Sequence, residues 1–309
     1  MTVQWEAVIE CIRSKCASAQ TAKTYIAAVN AAARASGQSD AGRALARDHK
    51  RTHRALVNAC ANLKPSTLKT RITGIVSAFK LCDALAAMDV DGKARAFWQS
   101  VHHEELRAAD SRAKSNVVTP EQTANMVTLK QILAAARSLT HDTLEQSQDK
   151  VLLTVAALVP AKRADWARLR VVASPADVRD TENGIAVAPN RVVLVLNTYK
   201  TSRKYGRHEE TIEGEAADVI RASLKRHKRN FLFTSPRRQD GMSNDSFSTY
   251  FARTFEAHMR KRVTIDLLRH IWVTQNVDPR RMTVGEIEDL ARKMLHGVET
   301  QRLYFLVPS

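Results

Sequence analysis

The sequence contains few of the residues that would place it in several common classes of protein. Its 309 residues include only four cysteines, all in the first third and without a Cys-x-x-Cys pair: Cys11, Cys16, Cys60 and Cys82. That pattern argues against a disulfide framework and predicts reduced thiols. No apolar run approaches the ~20 residues that a membrane-spanning helix needs, and the charged segment MTVQWEAVIECIRSK lacks the apolar core of a signal peptide. We therefore expect an intracellular protein without a membrane partner.

Acidic residues are also few relative to basic ones. The chain has 32 Asp and Glu against 48 Lys and Arg, which gives a net charge of +16. Residues 1–115 hold 18 basic and 10 acidic residues, and residues 116–309 hold 30 and 22, so each part carries +8. An excess spread over the whole chain favours a polyanion such as nucleic acid, because each phosphate contact releases condensed counterions.

Residues 1–115 are predicted to form an all-α domain. The segment is rich in alanine and contains a single proline, Pro65. Ser18 or Thr21 is placed to cap one helix, and another helix begins near Pro65 with apolar residues at 3.6-residue spacing. Three basic residues near the start of that helix are candidates for contact with phosphates: Lys64, Lys69 and Arg71.

A change of composition separates this segment from the rest. Residues 116–128 are polar, contain a proline and show no period, so they are predicted to be a linker. Helices are expected at 129–138 and 145–158. The β-branched runs that follow lie between turn residues and predict a small antiparallel sheet: Val171-Val172, residues 185–187 and residues 192–196. Residues 129–309 are therefore expected to form a mainly helical α+β domain.

Two segments of this second part carry basic residues near the predicted strands. Residues 159–170 are predicted to form a short helix in which Arg163 is flanked by apolar residues. Residues 197–207 are predicted to be the tip of a hairpin with four basic residues: Lys200, Arg203, Lys204 and Arg207. A basic hairpin suits contact with a nucleic-acid backbone, and a lysine on it can reach a phosphate that is being cleaved.

Two later segments add an arginine, a histidine and a tyrosine. Residues 264–274 form an otherwise apolar helix with Arg269, and burying an arginine there is unfavourable without a partner. Residues 293–304 bring His296 and Tyr304. Cleavage of a phosphodiester needs a nucleophile, fixed positive charge around the phosphorus and an acid for the leaving oxygen. The four segments together contain all of these.

The ordered set resembles the catalytic residues of the tyrosine recombinases and integrases, which share a catalytic domain with type IB topoisomerases. Arg163 is similar to the first arginine of the family, Lys200 to its hairpin lysine and Arg269 to the arginine of its HxxR motif. His296 resembles the histidine near the end, and Tyr304 resembles the nucleophile. The strings LLRHI and MLHGVETQ are most similar to recombinases of large DNA viruses, virophages and eukaryotic mobile elements.

The resemblance implies a two-domain enzyme that breaks and rejoins double-stranded DNA. Tyr304 would form a 3′-phosphotyrosine and free a 5′ hydroxyl. Arg163, Arg269 and His296 would stabilise the charge at phosphorus, and Lys200 would protonate the leaving oxygen. The active assembly would be a homotetramer on two synapsed DNA sites, and a monomer or dimer otherwise. No metal and no nucleotide cofactor is implied, because the phosphotyrosyl bond conserves the energy of the broken linkage.

Asp266 departs from the family pattern, because it stands where HxxR has its histidine. His270 directly follows Arg269, where a histidine is common in the family, and both are treated as possible accessory residues. Three other functions fit the same set: a type IB topoisomerase, a telomere resolvase, and a DNA-binding protein that kept the fold and lost the activity. The topoisomerase would relax supercoils as a dilute monomer, whereas the binding protein would form no covalent adduct with DNA.

Overall fold

The computed structural model describes residues 3–16, 18–38, 40–235 and 240–306. These residues contain sixteen α-helices and four short β-strands. The helices are α1 (Val3–Lys15), α2 (Ala19–Ser36), α3 (Ala41–Ala46), α4 (His49–Cys60), α5 (Pro65–Leu81), α6 (Asp83–Met88), α7 (Lys93–Lys114), α8 (Pro120–Asn125), α9 (Leu129–Arg137), α10 (Leu144–Leu158), α11 (Ser202–Tyr205), α12 (Gly214–Arg226), α13 (Asn244–Met259), α14 (Ile265–Asn276), α15 (Val284–Lys293) and α16 (Val298–Arg302). The strands are β1 (Arg170–Val172), β2 (Gly184–Ala188), β3 (Arg191–Leu196) and β4 (His208–Ile212). This mainly helical architecture with one small sheet agrees with the prediction from sequence.

The described chain divides into two compact units, Met1–Ser115 and Asn116–Ser309. Each unit has a hydrophobic core of its own. None of the described helices combines the length and the hydropathy that a membrane-spanning segment requires.

Small residues shape the first unit, which contains α1–α7. The cap of α2 is Ser18, whose side chain accepts a hydrogen bond from the backbone N–H of Thr21. In α5, a Cβ atom on Gly74 would lie only 2.6 Å from the Cβ of Ala28 in α2, so glycine permits the two helices to pack closely. Larger apolar side chains complete this core, among them Trp5, Leu45, Leu56, Ile75 and Trp98.

The sheet of the second unit has the order β1-β2-β3-β4. It is mixed, because β1 pairs parallel with β2 whereas the other two pairings are antiparallel. The sequence predicted only antiparallel pairing, but an eleven-residue connection between β1 and β2 lets the chain cross over and run in the same direction. A two-residue turn joins β2 to β3, with Ala188 paired to Arg191.

Three local features differ from the sequence prediction. Residues 116–128, expected to be a linker, contain α8, and Lys261 Nζ donates to the carbonyl of Ala124 at 2.6 Å. The expected short helix at 159–170 is reduced to a 3₁₀ turn at Ala164–Trp166. The expected hairpin tip carries the single helical turn α11 before the chain returns as β4.

The core of the second unit supports the later segments of the chain. On α14, five apolar side chains are buried: Leu267, Leu268, Ile271, Trp272 and Val273. They fix the rotation of the helix, which leaves Arg269 buried as well. The segments around α15 and α16 pack His296 and Tyr304 against this helix.

Candidate functional site

Arg269 is the most deeply buried charged residue of the site, with a relative exposure of 1%. Its Nη2 donates to Nδ1 of His296 at 3.1 Å, but Nε and Nη1 are buried and have no hydrogen-bond partner among the described residues. Burial lowers the pKa of Arg269, although a guanidinium remains protonated in proteins. The site therefore holds a cation with two unused donors, which is costly unless an anion binds there.

His296 accepts this hydrogen bond from Arg269, because a guanidinium can only donate. The proton of a neutral imidazole is then on Nε2, which is buried and has no partner in the described part of the chain. Burial together with the charges of Arg269, Arg163 and Lys162 lowers the pKa of His296 to about 3. At neutral pH His296 is therefore an uncharged donor.

Tyr304 lies against both of these residues. Its ring centroid is 4.7 Å from the guanidinium carbon of Arg269 and 5.5 Å from the ring of His296. The ring of His270 contacts it edge-on at 4.9 Å, and Nδ1 of His270 is 3.0 Å from the carbonyl oxygen of Tyr304. Tyr304 is 7% exposed, so its position is set by packing and by this backbone contact.

A large cleft opens beside Arg269. Its volume is about 1120 Å³, and Arg163 and Lys200 line it together with Asp165. The wall opposite is polar and comes largely from α13: Asn244, Ser248, Thr249, Arg253 and Glu256. His296 and Tyr304 do not line the cleft; they lie behind Arg269, in contact with it.

The lining of the cleft carries an excess of positive charge, with five Lys and Arg residues against three Asp and Glu residues. Among the described carboxylates, none forms a salt bridge with Arg163, Lys200 or Arg269. Cations without an ion-pair partner among the described residues, and buried N–H donors beside the ring of Tyr304, suit an oxyanion such as a phosphate ester in charge and in hydrogen bonding. The arrangement can hold non-bridging oxygens while the phenol attacks phosphorus.

Two solved recombinase structures are similar to the chain. The XerA recombinase aligns with 98% of this chain and 93% of its own, at 14% identity and a TM-score of 0.37. The XerH site-specific recombinase, in a pre-cleavage complex with its difH substrate, aligns with 98% of this chain and 92% of its own, at 11% identity and a TM-score of 0.49. No protein-family model and no curated protein matches the sequence.

The accessory and basic residues of the second unit lie in different surroundings. Asp266 lines the cleft, and its carboxylate is 3.9 Å from His270. Arg203 and Lys204 are exposed on α11, with the ammonium of Lys204 over the ring of Tyr205 at 5.1 Å. Arg207 instead binds its own unit, because its guanidinium donates to Glu209 at 2.8 Å and to the carbonyl of Pro175 at 2.7 Å.

The three basic residues predicted in the first unit lie at the start of α5. Lys64 is exposed, and Lys69 is half-buried. Arg71 is half-buried too, and its Nη1 donates to the thiol of Cys60 at 3.0 Å. The Arg71 guanidinium thus joins α5 to α4 through a hydrogen bond. The spacing of residues along the sequence does not reveal this contact.

Sequence reasoning missed two residues beside the cleft. Asp165 lines it, and burial raises the pKa of its carboxyl group. Lys162 is fully buried next to Arg163 and forms an ion pair with Glu210 at 2.6 Å. The signal in the sequence was the pair of adjacent basic residues, Lys162 and Arg163. The sequence alone does not indicate which of the two side chains lines the cleft.

Proposed function

We propose that the chain is a site-specific DNA recombinase that cleaves and rejoins DNA through a 3′-phosphotyrosine intermediate. The observation that carries this proposal is the group of buried donors on Arg269 and His296, beside the ring of Tyr304, that have no partner in the described parts of the chain. A buried donor without an acceptor is destabilising, so a site that keeps three of them fits a ligand rich in oxygen.

In the proposed reaction Tyr304 Oη attacks the phosphorus of a DNA phosphodiester. The bond from Oη to phosphorus forms, the bond from phosphorus to the 5′ oxygen breaks, the phenol proton passes to solvent water, and the leaving 5′ oxygen takes up a proton. Arg163 and Arg269 neutralise the non-bridging oxygens, and Nε2–H of His296 donates a hydrogen bond to one of them. Rejoining reverses the step, with a 5′ hydroxyl attacking the phosphotyrosine.

Lys200 is the proposed acid for the leaving 5′ oxygen. It lines the cleft on the exposed segment after β3, without a carboxylate partner among the described residues. A lysine ammonium group carries protons that it can donate to a departing alkoxide. Transesterification of this kind requires no nucleotide, because the phosphotyrosyl bond retains the energy of the broken linkage.

The proposed substrate is duplex DNA, which both units would contact through their excess positive charge. Exchange between two DNA sites would need four active chains, so we propose a homotetramer at the stage of recombination. A viral or mobile-element origin of the chain remains part of the same proposal.

The decisive experiment compares Tyr304→Phe with Tyr199→Phe. Tyr199 lines the cleft itself, and its hydroxyl donates to the carbonyl of Gly206, so it serves as the control tyrosine of the same site. Labelled DNA ends from the chain's own genetic neighbourhood are incubated with each protein, and a protease-sensitive covalent adduct is looked for on a denaturing gel. Tyr304→Phe should bind DNA like the wild type and form no adduct, whereas Tyr199→Phe should form it.

The same assay separates the alternatives. An adduct that persists in Tyr304→Phe would refute the assignment of the nucleophile. A wild-type protein that binds DNA and forms no adduct with any end would be a binding protein with the fold alone. Relaxation of supercoiled DNA by dilute monomer would indicate a type IB topoisomerase.

A further inference from the structure

The turn before His296 has a backbone conformation that needs support. Two hydrogen bonds close the C-terminus of α15: Leu295 N–H donates to Arg292 at 3.0 Å, and His296 N–H donates to Ala291 at 3.1 Å. In this helix ending the first of the two donor residues adopts the left-handed conformation, which usually requires glycine. Here that residue is Leu295, with φ +59°. A side chain with a Cβ atom is sterically unfavourable there, so the surrounding contacts must hold the turn.

Lys162 provides one of those contacts. Its ammonium group is completely buried and donates to the carbonyls of Lys293 and Pro160. Lys293 is the last residue of α15, where carbonyl oxygens lack partners within the helix and the helix dipole is negative. Burial lowers the pKa of Lys162, and the nearby carboxylate of Glu210 opposes this effect. The ion pair with Glu210 therefore favours a charged ammonium group at the helix end.

Thr201 provides the second contact. Its hydroxyl donates to the carbonyl of Leu295 at 3.1 Å, immediately before His296. Lys162 directly precedes Arg163, and Thr201 directly follows Lys200. The two donors that hold the turn of His296 thus belong to the two segments whose cations line the cleft.

We infer that Lys162 and Thr201 are positioning residues that hold Arg163, Lys200 and His296 in one fixed geometry. The inference depends on the proposed function for its catalytic consequence, but not for the contacts themselves. A buried ammonium can often be replaced by an apolar side chain without loss of stability. Lys162 instead donates to two backbone carbonyls and forms an ion pair with Glu210, and its hydrogen bond to Lys293 ties the turn before His296 to the segment of Arg163.

The test uses Thr201→Val, which removes one hydrogen bond at nearly constant volume, and Thr201→Ser, which keeps the hydroxyl. Amide hydrogen exchange is measured at His296 in the full chain without DNA. Exchange in Thr201→Val should be about tenfold faster than in the wild type, and Thr201→Ser should restore the wild-type rate. Equal exchange in all three proteins would overturn the inference.

The rate of covalent adduct formation provides the second measurement. Thr201→Val should slow it about tenfold at unchanged DNA affinity, and should slow it much less in a His296→Ala background, because it acts through His296. A full tenfold effect in that background would contradict the positioning role. If the wild type forms no adduct at all, the proposed function fails, while the exchange measurement still decides whether the turn is held.

Lys162 is tested together with its partner. Lys162→Met alone leaves the Glu210 carboxylate buried without its ammonium, so the matched protein is Lys162→Met with Glu210→Gln, which removes both charges. This double variant should show exchange at His296 at least tenfold faster than the wild type while retaining a cooperative unfolding transition. A double variant that keeps wild-type exchange at His296 would remove Lys162 from the inference.

Discussion

At the scale of single residues, the site is defined by charges and donors that the protein leaves unused. One hydrogen bond joins Arg269 to His296, and three further nitrogens of the two side chains are buried without a partner among the described residues. Because Nδ1 of His296 is occupied by Arg269, only one tautomer of the neutral imidazole can point a proton toward a ligand. The roles of the residues can therefore be separated by experiments on individual side chains.

Replacement of Lys200 tests its proposed role as an acid. Lys200→Ala should cleave ordinary DNA about 10²–10⁴-fold more slowly, because general-acid help is lost. A substrate with sulfur in place of the bridging 5′ oxygen releases a thiolate that needs no proton, so Lys200→Ala should cleave it nearly as fast as the wild type. Lys204→Ala is the control, since the Lys204 ammonium lies over Tyr205 and outside the cleft lining. Equal slowing on both substrates, or rescue in Lys204→Ala, would exclude Lys200 as the acid.

His296 should make the free energy of unfolding depend on pH. Its pKa is about 3 in the folded chain and near its ordinary value of 6.5 when unfolded, so only the unfolded state binds the proton between these values. Stability should therefore fall as the pH decreases from about 6.5 toward 3, by about 1.4 kcal/mol per pH unit for this group. Denaturant unfolding at several pH values should show a shallower slope in His296→Asn, and no change in a control at the exposed His103. Identical slopes in the wild type and His296→Asn would contradict the assignment.

At the scale of secondary-structure elements, α14 joins the arginine to the tyrosine-bearing segment. His270 contacts the carbonyl oxygen of Tyr304 at 3.0 Å, and Thr274 Oγ1 accepts from the backbone N–H of Leu306 at 3.0 Å. The two residues are one helical turn apart and lie on the same face. One face of α14 thus holds the backbone at the carbonyl of Tyr304 and again two residues further on, at Leu306.

Thr274→Val should loosen this attachment. The valine has nearly the shape of threonine but accepts no hydrogen bond, so the N–H of Leu306 is left without its partner at a cost of about 1–3 kcal/mol. Amide exchange at Leu306 should become faster, and covalent adduct formation should become slower. Thr274→Ser retains the acceptor and should behave like the wild type. Unchanged exchange at Leu306 in Thr274→Val would show that α14 does not hold this segment.

At the scale of the whole molecule, the positive charge is divided equally between two units. Each part carries a net charge of +8 and has its own core. In neither unit is the excess of positive charge confined to a terminal tail, since basic residues occur on many helices of both units. This distribution favours DNA contact by both units.

Fragments 1–115 and 116–309 test that division. The first fragment should fold into a helical domain and bind duplex DNA weakly, with an affinity that falls steeply as salt increases. For duplex DNA the logarithm of the binding constant falls by about 0.9 per decade of salt for each phosphate neutralised, so the slope of the full chain should approach the sum of the two fragment slopes. If the full chain has the slope of fragment 116–309 alone, the first unit does not contribute phosphate contacts.

The sequence by itself determined which kinds of residue are present and in which order. The 3.6-residue spacing of apolar residues predicted the helices, because that pattern depends only on neighbours within two turns. It also marked Arg269, since an arginine in an apolar helix is informative without any knowledge of the fold. Strand β4 shows the opposite case: HEETI has no apolar run, and it becomes a strand only because its backbone pairs with β3.

Only the tertiary structure decided which cations remain available for a ligand. Lys162 and Arg163 are adjacent in sequence, but only Arg163 lines the cleft. The ammonium of Lys162 is buried and donates to the carbonyl of Lys293, which is 131 residues away along the chain. Arg71 is likewise engaged by Cys60, a partner that spacing does not reveal. The physical reason is that a charge becomes paired or unpaired through desolvation and through contacts distant along the chain, and neither is encoded in local sequence.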